Sequence, residues 1–162
     1  MSLPDHKNDP YFREFINIPL IRASRKMQNA FYRAALAPRG LSIQEWRTLL
    51  VCTRLKDDHL RAIARWGVLD ATHVSRATAS LETKGLVRRY ADPKDVRRKR
   101  IAITQAGEAL VAEIWPEAQS LDAHIRASLG EAEYAALRTA LMQILDTELL
   151  APAAREGSLA AE

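Results

Sequence analysis

Residues 68–104 read Val68-Leu69-Asp70-Ala71-Thr72-His73-Val74-Ser75-Arg76-Ala77-Thr78-Ala79-Ser80-Leu81-Glu82-Thr83-Lys84-Gly85-Leu86-Val87-Arg88-Arg89-Tyr90-Ala91-Asp92-Pro93-Lys94-Asp95-Val96-Arg97-Arg98-Lys99-Arg100-Ile101-Ala102-Ile103-Thr104. Asp70 is placed to cap a helix running to about Lys84, with Val74, Ala77, Thr78 and Leu81 as its core face. Gly85 stands where a helix ends in a left-handed conformation. Two short strands follow, near Leu86–Ala91 and Lys99–Ile103, and the turn formers Asp92-Pro93-Lys94-Asp95 separate them. Helix, glycine turn, strand, charged loop, strand: this order predicts a helix that can enter a DNA groove and a hairpin beside it that can grip the backbone.

The helix face opposite that core offers Thr72, His73, Ser75, Arg76, Ala79 and Ser80. Small residues let a backbone approach base edges, and a long forked donor such as Arg76 reaches guanine O6 and N7 or a phosphate. Thr72 and Ser75, near the amino end, can bond phosphates alongside the unpaired N–H groups of the first turn. A small, polar solvent face would look the same, so the hairpin has to decide. Residues 84–100 hold eight cations against Asp92 and Asp95. Like charge concentrated on a thin hairpin repels itself, and a polyanionic partner relieves that repulsion. Arg89, Arg97, Arg98 and Lys99 are the candidates for the DNA backbone or minor groove. Asp95 and Arg97, two apart, are expected to form an ion pair that stiffens the loop and aims the arginine.

Outward from this stretch the chain reads as helices. Asn17 is expected to cap a first helix with Pro19 in its first turn and a stripe of Leu20, Ser24, Met27, Phe31 and Ala34, closed by Pro38 and Gly40. Ser42-Ile43-Gln44-Glu45 is a capping box opening a second helix with Trp46, Leu49, Leu50 and Thr53 on one face. Lys56-Asp57-Asp58-His59 reads as a polar loop before a short third helix of Leu60, Ile63 and Ala64 that stops at Gly67. Thr104 caps a fifth helix striped by Ala106, Leu110, Val111, Ile114, Ala118, Leu121 and Ile125, with a kink expected at Pro116. Beyond Gly130, a sixth presents Tyr134, Leu137, Leu141, Ile144, Leu145 and Leu149. The fold class is mainly α with a small β-hairpin (α+β). The 162 residues form one domain, with a DNA-binding lobe at 40–104, pairing helices at 10–37 and 105–150, and a flexible tail at 151–162.

Charge divides along the same line. Residues 1–100 carry 21 Lys and Arg against 10 Asp and Glu, and residues 101–162 carry 3 against 10. A basic working surface and a separate acidic part are implied. No apolar run is long enough for a membrane helix. Asp5, Lys7, Asp9, Arg13 and Glu14 occupy the place where a secretory signal needs an apolar core, and a single cysteine fits a reducing compartment, so a cytoplasmic protein is expected. His6, His59, His73 and His124 have no metal-ligand spacing with Cys52 or each other, and neither a phosphate loop nor a nucleophile motif occurs. No metal, no cofactor and no catalytic residue is expected. Asp122 and His124 project about 160° apart over two helical residues, which argues against a shared site.

Through these residues the chain resembles the MarR family of bacterial winged-helix transcription regulators. The resemblance rests on Val74-Ser75-Arg76, on Leu81 through Arg89, on Asp92-Pro93-Lys94-Asp95-Val96-Arg97, and on Ile103-Thr104-Gln105-Ala106-Gly107. It covers roughly residues 15–150, and its motifs lie in 60–108. It implies a homodimer on a pseudo-palindromic operator, acting as a repressor and often released by a small anionic or aromatic ligand. Trp66, before Gly67, departs from the smaller or polar residue expected there; Trp66 and Trp46 are the candidate lining of an effector pocket.

The winged lobe needs only one face of the first and fifth helices. The six-residue stripe of the sixth, at about 1.5–3 kcal/mol per large side chain, is ample to drive pairing with a second copy after ordering costs. A monomer with these helices folded back on its own core is the other possibility. Two copies would set two recognition helices about 34–36 Å apart on one duplex face. A different class stays open as well: a winged-helix interaction module whose basic hairpin docks an acidic partner protein. Cys52, among Leu49, Leu50 and Val51, reads as a small buried hydrophobe.

Overall fold

Ser42, extended at φ −85°, accepts a hydrogen bond from the Glu45 N–H while its own N–H donates to the Glu45 carboxylate, so the capping box opens a helix as its spacing predicts. The structure, a computed structural model, describes residues 15–67 and 70–147, and only the backbone of Trp66, Gly67 and Val96. Its helices are α1 (Asn17–Phe31), α2 (Ile43–Leu55), α3 (Leu60–Gly67), α4 (Ala71–Thr83), α5 (Gln105–Leu129) and α6 (Glu131–Asp146). Its strands are β1 (Asp57–His59), β2 (Val87–Asp92) and β3 (Asp95–Ile103). Two compact units divide the chain after Leu121. The expectations for residues 10–14, Val68, Leu69, Leu149 and the tail lie outside the described residues.

In the first unit, Leu36, Leu49, Ile63, Val74, Leu81, Val87, Ile101 and Ile114 are fully buried. They come from every described element of that unit except α1 proper and β1, so one core fixes α4 against the hairpin. The chain leaves α4 through Gly85, at φ +71°, with the Gly85 N–H donating to Glu82 O and the Leu86 N–H to Leu81 O. That left-handed residue is the predicted glycine stop. Thr104 receives the Gly107 N–H at 3.1 Å, the predicted cap of α5, and α5 runs unbroken through Pro116. Arg39 ties the end of the first helical stretch to α5 through Glu113 at 2.8 Å and Glu117 at 3.0 Å.

Three expectations differ from what is found. Asn17 is the first residue of α1 rather than its cap; Ile16, already helical at φ −57°, holds that place and supplies no side-chain bond. Lys56–His59 is not a loop. The chain turns through Lys56 at φ +58°, and Asp57–His59 pairs antiparallel with β3, giving the sheet order β1-β3-β2. Three polar residues without glycine carry no alternation, so nothing local announces that strand. The second hairpin strand begins at Asp95, four residues before the expected Lys99, because its outer half stands beyond the core and lacks an apolar period.

In the second unit, the described part of α6 contributes no buried residue; Leu137 is 45% exposed and Leu145 73%.

Candidate nucleic-acid interface

Glu45 sets the orientation of α4. Its Oε2 closes the capping box, and its Oε1 accepts from Ser80 Oγ at 2.7 Å and Lys84 Nζ at 2.6 Å; Lys84 also donates to Gly40 O at 2.7 Å. One nearly buried carboxylate thus joins the start of α2 to the last turns of α4. Burial alone would raise its pKa, but the bonds from Lys84, Ser42 and Ser80 outweigh that and hold it below the ordinary carboxylate value. Ser80 is half-buried with its hydroxyl proton committed to Glu45, so it braces α4 against α2, while it also lines the cleft beside His73 and Arg76. The capping-box spacing reveals one end of this bond set, but no spacing reveals the other, 35 residues away.

Thr72, His73, Ser75 and Arg76 are exposed on the face of α4 opposite Val74, Ala77, Thr78 and Leu81. Asp70 caps the helix, accepting from the N–H groups of Thr72 at 2.7 Å and His73 at 3.4 Å. His73 and Arg76 share a shallow cleft of about 270 Å³ with Ser42 and Gln44 at the start of α2. Gln44 thus joins the candidate interface, a residue the sequence reading passed over as the interior of a capping box.

The hairpin cations sort into two groups. Lys84 is held by Glu45; Arg89 is held by Glu82, through its backbone N–H at 3.2 Å and its Nε at 2.6 Å; Arg100 reaches Asp57 Oδ1 at 3.0 Å, Asp57 O at 2.9 Å and Asp92 Oδ2 at 3.4 Å. Asp95 corrects the expected ion pair. Its Oδ1 accepts the backbone N–H of Arg97 at 3.1 Å and its Oδ2 pairs with Arg98 Nε at 3.3 Å, so the carboxylate partners Arg98 and leaves the Arg97 guanidinium outside the pair. Among the described residues no carboxylate pairs with Arg76, Arg97 or Lys99, and all three are exposed. Arg88 lies over the Tyr90 ring, 5.1 Å from its centre. Sequence places Arg89 with the backbone-gripping cations; the fold gives it an internal partner instead.

At the root of the wing, Tyr90 Oη donates to Asp57, and His59 faces Asp92 with Nε2 at 3.0 Å and Lys99 O with Nδ1 at 3.3 Å. These bonds tie β1 to both hairpin strands and stiffen the base from which the unpaired cations project.

Residues 41–107 match the winged helix DNA-binding domain family. Among solved structures, a MarR-family transcriptional regulator from Rhodococcus sp. is similar at 25% identity and a TM-score of 0.71, with 80% of this chain and 91% of that one covered. The chain carries a winged-helix DNA-binding domain and shares its fold with MarR-family regulators. Also similar are Bordetella bronchiseptica BpsR, at 23% identity and a TM-score of 0.77 over 85% of this chain and 97% of that one, and a mutant MarR from E. coli complexed with operator DNA, at 19% and 0.74 over 85% and 99%. A comparison with curated protein sequences finds no match.

In this winged-helix chain Trp46 is a core residue, 5% exposed, its ring 5.5 Å from that of Phe31. Packed in this core, Trp46 presents little surface to an effector in the single chain. Trp66 lies in the last turn of α3, its side chain outside the described residues. Burial pushes the Cys52 thiol up to about 12, away from the thiolate that redox sensing needs. Asp122 accepts the Tyr134 hydroxyl at 2.5 Å, so its partner is not His124.

The carboxylates of the winged lobe make acid the weak side of its stability. The Lys94 backbone N–H and then Arg100 lower the pKa of Asp92; for Asp57 burial works upward, but Tyr90 and Arg100 prevail and lower it; Arg89 lowers that of Glu82. A depressed folded-state pKa contributes stability that is complete above the unfolded carboxylate range of about 3.9–4.3 and is lost as pH falls through the folded value. The melting temperature is expected to be flat near neutrality and to fall below about pH 4, less steeply in Asp57→Asn. Circular dichroism melts across this range check it; a melting temperature that rises on acidification contradicts it.

Proposed function

We propose that this chain is a homodimeric, sequence-specific regulator of transcription that binds double-stranded DNA, represses, and is released by a small molecule. Thr72, His73, Ser75 and Arg76 on α4 face the major groove, while Arg97, Arg98 and Lys99 hold the backbone or minor groove. The carrying observation is the placement of cations: carboxylates partner Lys84, Arg89 and Arg100 within the lobe, while Arg76 on α4 and Arg97 and Lys99 on the wing project without one among the described residues. Like charge left unneutralised on the recognition helix and the adjoining hairpin repels itself, and the phosphates of a duplex relieve that repulsion.

Pairing of two copies is supported by apolar side chains left open in the single chain: Leu20 and Met27 on α1, and Leu137, Ile144 and Leu145 on α6. Two recognition helices about 34–36 Å apart would then select an inverted repeat. DNA binding by BpsR is regulated by 6-hydroxynicotinic acid, which supports looking for an aromatic acid here. A cytoplasmic location follows from this reading, and no helix among the described residues is long and apolar enough to cross a membrane.

Selection from a random duplex pool at low salt, followed by gel shift with and without candidate aromatic acids, tests the reading. An inverted-repeat consensus is expected, bound by two chains. Failure to retain any duplex at about 50 mM salt, where phosphate contacts are strongest, overturns it and favours an acidic protein partner for the wing.

A further inference from the structure

Arg39 and Gly40 are consecutive residues in the link between α1 and α2, and each is gripped by a different part of the lobe. The Arg39 guanidinium donates from Nε to Glu113 Oε1 at 2.8 Å, from Nη2 to Glu117 Oε1 at 3.0 Å and from Nη1 to Ala35 O at 2.7 Å. Glu113 and Glu117 stand one turn apart on α5, so a single planar fork spans both. Gly40 O accepts from Lys84 Nζ at 2.7 Å, and the same ammonium reaches Glu45 Oε1 at 2.6 Å, where Ser80 Oγ also donates. Between the two grips the backbone has little freedom. Gly40 is left-handed at φ +64°, its N–H donates to Ala37 O, the Leu41 N–H donates to Leu36 O, and Leu36 and Leu41 are buried. A shift of α5 at Glu113 therefore reaches Gly40 O, and from there the last turn of α4.

We propose that Arg39 is a positioning residue for base reading: it passes the placement of α5 through Gly40 to Lys84 and Glu45, and so fixes the tilt of α4. The proposal rests on the DNA-binding reading above and deepens it. Two observations set this role apart from stability and from contact with DNA. The ion pairs are open to solvent, with the Arg39 side chain 22% exposed, Glu117 35% and Glu113 61%, and pairs of that kind contribute little to stability. The guanidinium is also committed, since Nε, Nη1 and Nη2 each donate to an acceptor inside the lobe and two carboxylates offset its charge. On the other side of the exit from α4, Leu86 O accepts the Thr104 N–H at 3.1 Å at the start of α5. The helix thus holds the carboxyl end of α4 from two places, and Arg39 is the one that acts through side chains.

The test measures the affinity of the full chain for a duplex carrying its selected site and for an unrelated duplex, by fluorescence anisotropy at one salt concentration, together with hydrogen exchange of the free protein. Arg39→Gln is expected to lower the ratio of the two affinities about tenfold, the cost of one misplaced base contact. Affinity for the unrelated duplex, set by phosphate contacts, should stay within about twofold. The melting temperature should fall by less than about 4 °C, as for a solvent-open ion pair. Exchange of the Lys84 and Leu86 N–H groups, bonded to Ser80 O and Leu81 O, should quicken while β3 stays unchanged. Glu113→Gln/Glu117→Gln, which leaves Arg39 in place, should reproduce the loss, and Arg39→Lys, a point charge that cannot span both carboxylates, should restore only part of it. In a Lys84→Met background Arg39→Gln should lose nothing more, because the route is already cut. An unchanged ratio in the Arg39→Gln and double glutamine variants overturns the proposal. Full additivity with Lys84→Met, or an equal fall for both duplexes, overturns it too, the second by making Arg39 a phosphate contact. A wild-type protein that binds no duplex overturns the DNA reading instead, with exchange at Lys84 and Leu86 still deciding whether Arg39 steadies α4.

Discussion

Arg76→Ala is expected to lose about 1–3 kcal/mol of operator binding and to erase selectivity at one base position in each half-site. The side chain is exposed on α4, one turn beyond His73, and opens on the shallow cleft shared with Ser42 and Gln44. Glu45, Ser80 and Lys84 fix the helix beneath it, so the guanidinium starts from a defined place. A fork that bonds guanine O6 and N7 together loses both bonds on truncation. Arg76→Lys separates base reading from simple charge: a lysine can serve a phosphate as a point charge but cannot reproduce the fork. The lysine variant should therefore recover affinity for mismatched duplex and not for the selected site. Full recovery of selectivity by lysine would assign Arg76 to the backbone, and unchanged binding in the alanine variant would remove it from the interface.

Gly107→Ala should destabilise the winged lobe by about 3 kcal/mol or more, although the same exchange in an open helix stabilises by about 1 kcal/mol. A Cβ at this position would stand 2.2 Å from Leu86 O, 2.8 Å from Ile103 Cγ1 and 3.2 Å from Leu86 C. Two of these three atoms belong to the backbone and cannot rotate aside. Moving α5 away would stretch the bond from the Thr104 N–H to Leu86 O, now 3.1 Å, and open the core at Val111 and Ile114. Steric exclusion thus exceeds the gain in helix propensity. A fall of about 10 °C in melting temperature is expected for a domain of this size; an equal or higher value would mean that α5 sits farther from β2 than the structure has it.

The sequence alone shows Gly107 only as part of a family-like stretch, Ile103-Thr104-Gln105-Ala106-Gly107, and not as a point of contact. The difference has a physical basis that recurs through the molecule. Capping, glycine turns and helical stripes are interactions among residues a few positions apart, so Ser42 with Glu45, Asp70 with the first turn of α4, and Gly85 after it are legible from spacing. Ion pairs are not. Asp95 has two arginines within three residues, and the turn geometry alone gives its side-chain pairing to Arg98. Arg89 and Arg97 look equivalent as letters, yet one folds onto Glu82 and the other onto nothing described. Trp46 looks as ready for a ligand as for a core until Phe31, fifteen residues upstream, arrives against its ring.

By itself, then, the chain's order of residues determined that a capped helix with a small polar outer face would precede a cationic hairpin, and that long apolar stripes would flank this lobe. Helix periods, caps and turn residues act over single turns, and no distant partner can revise them. Tertiary structure alone decided which cations are paired as struts, that Asp57–His59 becomes a third strand, and that Ser80 and Lys84 meet Glu45 across the lobe. Those outcomes depend on which backbone lies within a few ångströms of each side chain, and that proximity exists only once the core of Leu49, Leu81, Ile101 and Ile114 has closed.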